Sequence, residues 1–411
     1  MTLHPMLAAL TRHKVAVSLI VLQIALTLAI VANAAFVIGH RIERMHRPSG
    51  IEETGLLRVL QRWPGVATSD DPAAVETIDA MQRADLETLR QLPDVREVAA
   101  STSNPVLSGY TAGTIATTPD GSGRTVRAAY YYGDQHLRAT FSLPLLAGRD
   151  FHTDEIRHGR ARPDAPVVII SKPVADQLFP AGNALGQTIY QDGHPARIVG
   201  IVGKLQTPRR SDSTWPYNSV LEPLREDAAY SGYVVRVRAG REQAAAAAIR
   251  RALFAENPQR LMPPPWGGVR SFAEIREAAY RPDRDLVRMM GLTCLILLGV
   301  TAAGIVGLTS YWVFQRYRQI GIRRALGARR IDILRDFQTE NLLIVGSGSL
   351  LGAALAFGLN GWLMQHYEMA RLPVGAVLLT VAIMLAIGQA SSLVPARQAS
   401  RVPPIVATHS D

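Results

Sequence analysis

Four long runs without a charged side chain constrain this 411-residue chain more than any other feature of its sequence. They cover residues 15–39, 289–315, 341–365 and 372–396. About 20 apolar residues in a helix cross a hydrocarbon layer roughly 30 Å thick, and each run is longer than that. A fifth charge-free run, residues 98–119, is rich in Ser, Thr, Asn, Gly and Pro, so we expect it to stay in water. The pattern predicts four transmembrane helices and excludes a soluble enzyme.

The spacing of these runs divides the chain into one span, a long hydrophilic segment and three further spans. We expect a tail at 1–14, span one at 15–39, an outside domain of two subdomains at 40–285, and span two at 286–315. A loop at 316–340, span three at 341–365, a turn at 366–371, span four at 372–396 and a tail at 397–411 complete the chain. The predicted fold class is a membrane protein with four transmembrane α-helices (1+3) and a large mixed α+β domain.

Arginine is concentrated in the loop between spans two and three, which carries seven arginines against three acidic residues. Arg12 and Lys14 precede span one, and the turn at 366–371 has no net charge. Short loops rich in Lys and Arg stay in the cytoplasm. The sequence therefore predicts cytoplasmic termini, a cytoplasmic arginine loop and an outside location for the long segment. A cleavable signal peptide ending near residues 32–34 remains the alternative for span one.

The outside segment shows helix and strand patterns but no catalytic motif. Helices are predicted at 71–92, 174–179 and 243–254, and strands at 167–170, 196–202 and 233–237. The metalloprotease, serine-hydrolase and phosphate-loop patterns are absent from this segment. His152 and His158 lie near two acids, which we interpret as surface solvation rather than a metal site. Residues 130–132, three tyrosines, are either a ligand platform or a packed strand, and we favour the strand. Cys294 is the only cysteine, so no disulfide forms within one chain.

The arginine loop has the pattern of a short amphipathic helix. Apolar residues alternate with cationic ones, and Gly327 can adopt the left-handed conformation that ends a helix. We expect a short helix at the membrane surface, followed by a second helix that continues into span three. On composition alone, the arginines serve equally well to orient the chain and to contact anionic lipid.

Residues 320–328, which read IGIRRALGA, resemble the cytoplasmic segment of the MacB/FtsX/LolC permease family, the type VII ABC transporters. Further segments resemble the MacB-type periplasmic core domain and the family's C-terminal tail; they are residues 145–151, 167–171, 178–180, 185–189, 198–202 and 395–401. The resemblance implies a noncatalytic permease subunit of an ATP-driven exporter or extractor in the bacterial inner membrane. Such a subunit relays the motion of an ATPase to its periplasmic domain.

The resemblance also implies partners and coupling residues. We expect separate ABC ATPase subunits, a second permease copy or paralogue, a periplasmic adaptor and membrane lipid as partners, and no nucleic acid. ATP and magnesium belong to the ATPase, which we expect on another chain because only about 14 residues precede span one; no cofactor is expected here. The residues expected to couple to the ATPase are Gln319, Ile320, Gly321, Ile322, Arg323, Arg324, Ala325, Leu326, Gly327, Arg397 and Arg401.

Two departures from the family pattern bear on the coupling. The chain has Gln319 where such permeases usually have Glu, and Pro403 and Val406 where they usually have an acid or amide and Glu. A heteromeric complex, in which a sister permease keeps the standard contacts, would explain both. An alternative function of another class is an FtsX-like or peptide-sensing regulator of a hydrolase or signalling partner.

Small residues predict where the spans pack together. Small side chains four residues apart let helices approach closely in lipid. We expect Ala303 and Gly307 of span two, and Gly348, Gly352 and Ala356 of span three, to form packing faces. We also expect the polar side chains of Gln23, Asn33 and Gln389 to face other helices.

Overall fold

The computed structural model describes residues 14–64, 72–106, 111–160, 164–208, 214–226, 230–263, 267–367 and 371–400. The chain divides into two compact units. The membrane unit comprises residues 1–45 and 282–411, and the outside unit comprises residues 46–281. Pro403, Val406 and Arg401 lie outside the described residues, so their predicted roles stay predictions.

The described residues form helices and strands in the following order. The helices are α1 (Lys14–Met45), α2 (Pro72–Arg90), α3 (Leu137–Phe141), α4 (Lys172–Leu178), α5 (Glu242–Glu256), α6 (Phe272–Gln315), α7 (Tyr317–Ala325), α8 (Arg330–Tyr367) and α9 (Val374–Ser400). The strands are β1 (Leu56–Arg62), β2 (Val95–Ala100), β3 (Thr111–Ala116), β4 (Thr125–Gly133), β5 (Leu145–Gly148), β6 (Arg157–Gly159), β7 (Val167–Ser171), β8 (Thr188–Gln191), β9 (His194–Val202), β10 (Ser219–Glu226), β11 (Tyr230–Val237) and β12 (Gly268–Ser271).

Four helices, α1, α6, α8 and α9, are long and apolar enough to cross a membrane. They contain the predicted charge-free runs almost entirely, and α1, α6 and α8 extend beyond them. These extensions carry charged side chains, for example Arg41 and Arg44 on α1, that stay solvated or paired outside the hydrocarbon layer. The predicted fold class, four spans around a mixed α and β domain, is confirmed.

One layer of the outside unit is an antiparallel four-stranded sheet in the order β12-β1-β11-β2. Helices α2 and α5 cover it, and Leu86, Leu89, Ile249 and Leu253 pack with strand residues in one apolar core. Both helices begin and end close to their predicted positions, because their apolar residues recur at helical spacing. This sheet joins the first and last segments of the outside unit, since β1 pairs with β12.

The second layer is a closed barrel of six strands in the order β4-β3-β8-β9-β7-β10. Strand β10 returns to pair with β4 in parallel register, which closes the ring. Strands β5 and β6 attach outside this ring, to β9 and β10. The interior is filled by alternate side chains of the strands, among them Ile115, Val168, Ile198 and Val220. The predicted strands at 167–170, 196–202 and 233–237 are present as β7, β9 and β11.

Candidate functional site

Helix α6 has 44 residues and begins directly after β12 of the outside unit. It contains Pro282, the first residue of this segment of the membrane unit, which has no N–H to give to the helix hydrogen bonds. A capping box fixes its first turn, because Ser271 Oγ accepts from the Glu274 amide at 3.2 Å and Glu274 Oε2 accepts from the Ser271 amide at 3.0 Å. Phe272 and Tyr280 are buried in the outside unit. The helix therefore starts from a well-anchored position.

Within the membrane unit, α1 and α6 are joined by polar contacts at several levels. Arg41 donates to the buried Asp283 carboxylate, and Arg44 lies 3.8 Å from the same group. Deeper in the span, the hydroxyls of Thr27 and Thr301 lie 2.9 Å apart. A hydrogen-bonded pair in hydrocarbon has no water to replace it, so such contacts hold neighbouring spans in register.

Helix α8 packs closely on α1 through its small residues. A methyl group on Gly352 would lie 2.8 Å from the carbonyl oxygen of Ala25, and one on Gly348 would lie 2.8 Å from Ile24. The Asn33 amide donates to the Ala356 carbonyl at 3.2 Å. Backbones can approach this closely only where no side chain intervenes.

The small residues predicted to form a packing face on α6 do not contact another helix among the described residues of this single chain. Ala303 is exposed, and a methyl group on Gly307 would meet no atom of the described residues within 4 Å. The small residue that faces α1 is Gly304, which lies next to the Gln23 side chain. One residue turns a helix by about 100°, so spacing alone does not distinguish the two faces. Gln23 and Asn33 do face other helices, as expected.

At the end of the bundle that carries α7, one ion pair and an apolar cluster hold this helix in place. Arg316 donates to both carboxylate oxygens of Glu340, at 2.8 and 3.0 Å, and Glu340 is buried. Ile320 is buried in a cluster with Ile333 and Phe337 of α8; Ala396 and Ala399 of α9 belong to the same cluster. Ile320 and Gly321 are thus buried against the bundle, and their predicted part in coupling stays a prediction.

The opposite side of α7 is exposed and combines apolar and cationic side chains. Ile322 is 45% exposed and Leu326, the first residue after α7, is 83% exposed. The Leu326 amide donates to the Ile322 carbonyl at 3.1 Å, so the two side chains lie one helical turn apart. Other predicted coupling residues are also exposed, namely Gln319, Arg323, Ala325, Gly327 and Arg397. The predicted helix end is present, since Gly327 has a φ of +98° and α8 begins at Arg330.

One arginine of this surface already pairs with an acid of the same chain. Arg323 lies 3.3 Å from Asp336 of α8, and both side chains are exposed. An exposed pair of this kind contributes less than about 1 kcal/mol, so Arg323 can exchange it for another acid. The side chain of Arg324 lies outside the described residues.

Of the acids and histidines singled out in the outside unit, Glu155 and His158 form ion pairs, and His152 caps a short 3-10 helix. Arg149 forms a two-pronged pair with Glu155, at 2.8 and 2.6 Å, which lowers the pKa of that carboxyl. His158 lies 3.3 Å from Glu76, and one ligand atom each of Glu76, Asp79 and His158 falls within 4.8 Å of the others. These three residues are a poor candidate for a cation site, because Asp79 already pairs with two arginines, Arg83 and Arg225.

Sequence patterns missed two buried charged groups of the outside unit. Arg260 is fully buried and pairs with Asp85 through two nitrogens, at 2.8 and 3.0 Å. Glu222 is fully buried inside the barrel. The alternation of Val220, Glu222 and Leu224 was the available signal for Glu222, since an acid stands where an apolar residue is expected.

The fold and this arrangement define a class of membrane protein with four spans, a large extramembrane domain after the first span and a short helix, held on the bundle, after the second. Residues 19–252 match the MacB-like periplasmic core domain, and residues 291–404 match the FtsX-like permease C-terminal domain. The chain belongs to the family of MacB-like and FtsX-like ABC transporter permeases.

Individual relatives agree with this family. The chain is 29% identical over 273 residues to the macrolide export ATP-binding/permease protein MacB of Chromobacterium violaceum, covering 64% of this chain and 40% of that protein. It is 29% identical over 352 residues to the pyoverdine export ATP-binding/permease protein PvdT of Pseudomonas fluorescens, covering 83% and 49%. The chain spans about half the length of the curated relatives it matches.

Among solved structures, the periplasmic region of MacB from Actinobacillus actinomycetemcomitans is similar to the chain. The identity is 13% and the TM-score 0.35, with 57% of this chain and 97% of that chain covered.

Proposed function

We propose that this chain is the permease subunit of an ATP-driven ABC exporter or extractor and that it transmits the motion of an ATPase to its outside domain. The observation that carries the proposal is the division of α7 into two faces. Ile320 holds the helix in the bundle, while Ile322 and Leu326 are presented to the cytoplasmic side. A rigid helix with exposed apolar residues and a cationic surround suits a groove with acidic edges.

The proposed path of motion runs from α7 into α6. Arg316 lies between these two helices, and its pair with Glu340 ties both to α8. When an ATPase closes on ATP and displaces α7, the ends of α6, α8 and α9 must move with it. The proposed displacement follows the helical backbone of α6 past Pro282 to the capping box at Ser271.

In this proposal the chemistry belongs to another protein chain. ATP and magnesium bind a separate ABC ATPase, and the residues of this chain are noncatalytic and hold no cofactor. A second copy or paralogue completes the membrane unit, and the exposed α6 face with Ala303 and Gly307 is available to it. A periplasmic adaptor is a further partner. The chain lies in the bacterial inner membrane among its lipids, with both termini cytoplasmic.

The substrate stays open in this proposal, because related exporters are named for chemically different cargoes, macrolides and pyoverdine. The exposed Gln319 and the departures at Pro403 and Val406 favour a heteromeric pair of permeases. Purification with two differently tagged copies of the chain tests this point. Recovery of self-pairs alone, each bound to two ATPases, contradicts the heteromer.

The docking surface is tested by charge substitution in the full-length chain. We expect Leu326→Asp combined with Ile322→Asp to abolish co-purification of the ABC ATPase and its stimulation by the permease in lipid nanodiscs. The matched control is Leu146→Asp, an exposed leucine on β5 that should leave both unchanged. Normal ATPase binding and stimulation by a properly folded double variant would contradict the assignment. Arg323→Glu with Arg324→Glu tests the cationic part in the same way.

A further inference from the structure

The barrel of the outside unit contains one carboxylate at an apolar position. On β10, the side chains of Val220 and Leu224 belong to the barrel core, and Glu222 lies between them with no exposed surface. In the parallel register with β4, Glu222 is paired with Tyr132, and Val220 is paired with Tyr130. Because alternate residues of a strand share a face, Glu222 points into the barrel together with these two tyrosines.

The polar atoms around Glu222 are unusually poor in partners. Among the described residues, neither carboxylate oxygen of Glu222 accepts a hydrogen bond of normal geometry. The Gln191 amide is near enough to oppose the rise of the Glu222 pKa, but it makes no hydrogen bond of normal geometry either. The same holds for the hydroxyls of Tyr130 and Tyr132. An ionised carboxylate in such a place costs several kcal/mol, whereas a protonated one is neutral and can donate. The geometry therefore favours the protonated acid.

Among the described residues, the cation that acts on Glu222 is Arg157, which is shared with a second acid. Arg157 of β6 donates to Asp164 at 2.7 Å, while its other terminal nitrogen lies 4.0 Å from Glu222. The Asp164 carboxylate is 38% exposed, and Glu222 is fully buried. Arg157 thus pairs with the solvated acid and stands just beyond hydrogen-bond distance from the buried one.

The other charged and titratable groups around this site, among the described residues, do not supply a second cation. They are Tyr130 and Tyr132 of β4, Asp164 before β7, Asp192 after β8 and Glu226 at the end of β10. Burial raises the pKa of Glu222 to about 8, and Arg157 only partly offsets this effect. Burial also raises the pKa of Tyr130 and of Tyr132, so both hydroxyls stay neutral.

We propose that Glu222 is a proton-binding site of the outside domain and that loss of its proton draws Arg157 from Asp164 into the barrel. The buried anion then needs a partner, and Arg157 is the cation within reach. Strand β6 has only three residues and is attached to the barrel edge through β10, so it can follow Arg157 inward.

The strand β6 also connects the barrel to the sheet layer. His158, the next residue, lies 3.3 Å from Glu76 of α2, and Arg225 of β10 lies 2.7 Å from Asp79 of the same helix. A shift of β6 therefore changes the contact between the barrel and α2. The proton on Glu222 sets this contact according to the pH outside the membrane, whatever the protein transports.

Infrared titration of the full-length chain in lipid nanodiscs tests the proton itself. At about pH 7 we expect a carbonyl band of a protonated carboxylic acid that titrates with a midpoint near 8. Glu222→Gln should abolish this band, and Glu256→Gln, at an exposed glutamate, should leave it unchanged. Arg157→Gln should move the midpoint upward. A titrating band of equal size in Glu222→Gln would overturn the proposal, as would its absence from the wild type.

Hydrogen exchange tests the movement of Arg157. At about pH 6 we expect peptides containing β6 and α2 to exchange alike in the wild type and in Glu222→Gln. At about pH 9 the wild type should exchange several-fold faster in these peptides than the variant measured at the same pH. Equal exchange at the higher pH would overturn the inward movement of β6.

Discussion

The guanidinium of Arg316 lies 2.8 and 3.0 Å from the two carboxylate oxygens of the buried Glu340, and the same guanidinium lies 5.8 Å from the ring centre of Trp312. Arg316 occupies the single position between α6 and α7, and Glu340 lies ten residues into α8. One side-chain pair therefore ties together the ends of three helices. The proposed coupling depends on this ion pair, which we call the joint between the three helices.

Removal of Glu340 should loosen this joint. Glu340→Ala leaves the half-buried Arg316 without its acid, which typically costs about 3 kcal/mol when a buried pair is broken. We expect a melting temperature several degrees lower and weaker stimulation of the ATPase, measured in nanodiscs. The control Asp336→Ala breaks an exposed pair and should change the melting temperature little. Equal effects of both variants would argue against the joint.

The close contact of α1 and α8 should not tolerate a side chain at Gly352. Gly352→Leu places its first carbon 2.8 Å from the Ala25 carbonyl oxygen, so the two helices must separate. We expect a clear loss of monodisperse protein in size-exclusion chromatography. Gly358→Leu, at an open position on the same helix, is the control and should purify at the yield of the wild type.

The buried pair of Arg260 and Asp85 should be essential to the sheet layer. Asp85 accepts from Arg260, Gln61 and Tyr233, so Asp85→Asn leaves a fully buried guanidinium without its counter-charge. A loss of about 3–5 kcal/mol is expected for such a change. Limited proteolysis of the outside unit should become much faster. Asp94→Asn affects an exposed pair with Arg241 at 3.4 Å and should cleave like the wild type.

The stability of the outside unit should fall as the pH rises between about 4.5 and 8. The fold raises the pKa of Glu222 from its usual 4.5 to about 8, so the folded state holds a proton that the unfolded chain has released. The stabilisation is complete below 4.5 and is lost by the time the pH passes 8. The loss is about 1.4 kcal/mol for each pH unit and on the order of 5 kcal/mol in total.

Thermal unfolding measured across this pH range checks whether stability falls, as expected, when the pH rises. In Glu222→Gln the slope attributable to this acid should vanish, so the variant becomes more stable than the wild type at alkaline pH. The control Glu256→Gln should keep the wild-type slope, because its side chain is exposed. If the wild type instead became more stable than Glu222→Gln as the pH rises, burial would not raise the pKa of Glu222.

Elements with a strong periodic or compositional signal were predictable from the sequence. The four spans are present because charge-free runs of this length leave few alternatives to a membrane helix. The short helix after span two and its end at Gly327 are present because glycine reaches positive φ without strain. Helix and strand positions in the outside unit also agree, since their apolar periods differ clearly.

The sequence was a weaker guide to which side of each helix faces its neighbours. Ile320 and Ile322 both looked like contact residues, but Ile320 is buried against α8 and α9 while Ile322 is exposed. On α6, Gly304 rather than Ala303 or Gly307 faces α1. These assignments depend on the rotation of each helix about its axis, which its neighbours determine through packing that one segment's sequence does not contain.

By itself, the sequence determined the number of spans, the mixed outside domain, the short helix after span two and the family. These properties follow from local features, namely the length of apolar runs, the position of arginines and short ordered motifs. Only the tertiary structure decided that Glu222 is buried beside a shared arginine, that Arg316 joins three helices through Glu340, and which face of α7 is free. These relationships link residues that are distant in the chain, and burial and charge pairing arise only when folding brings such residues together.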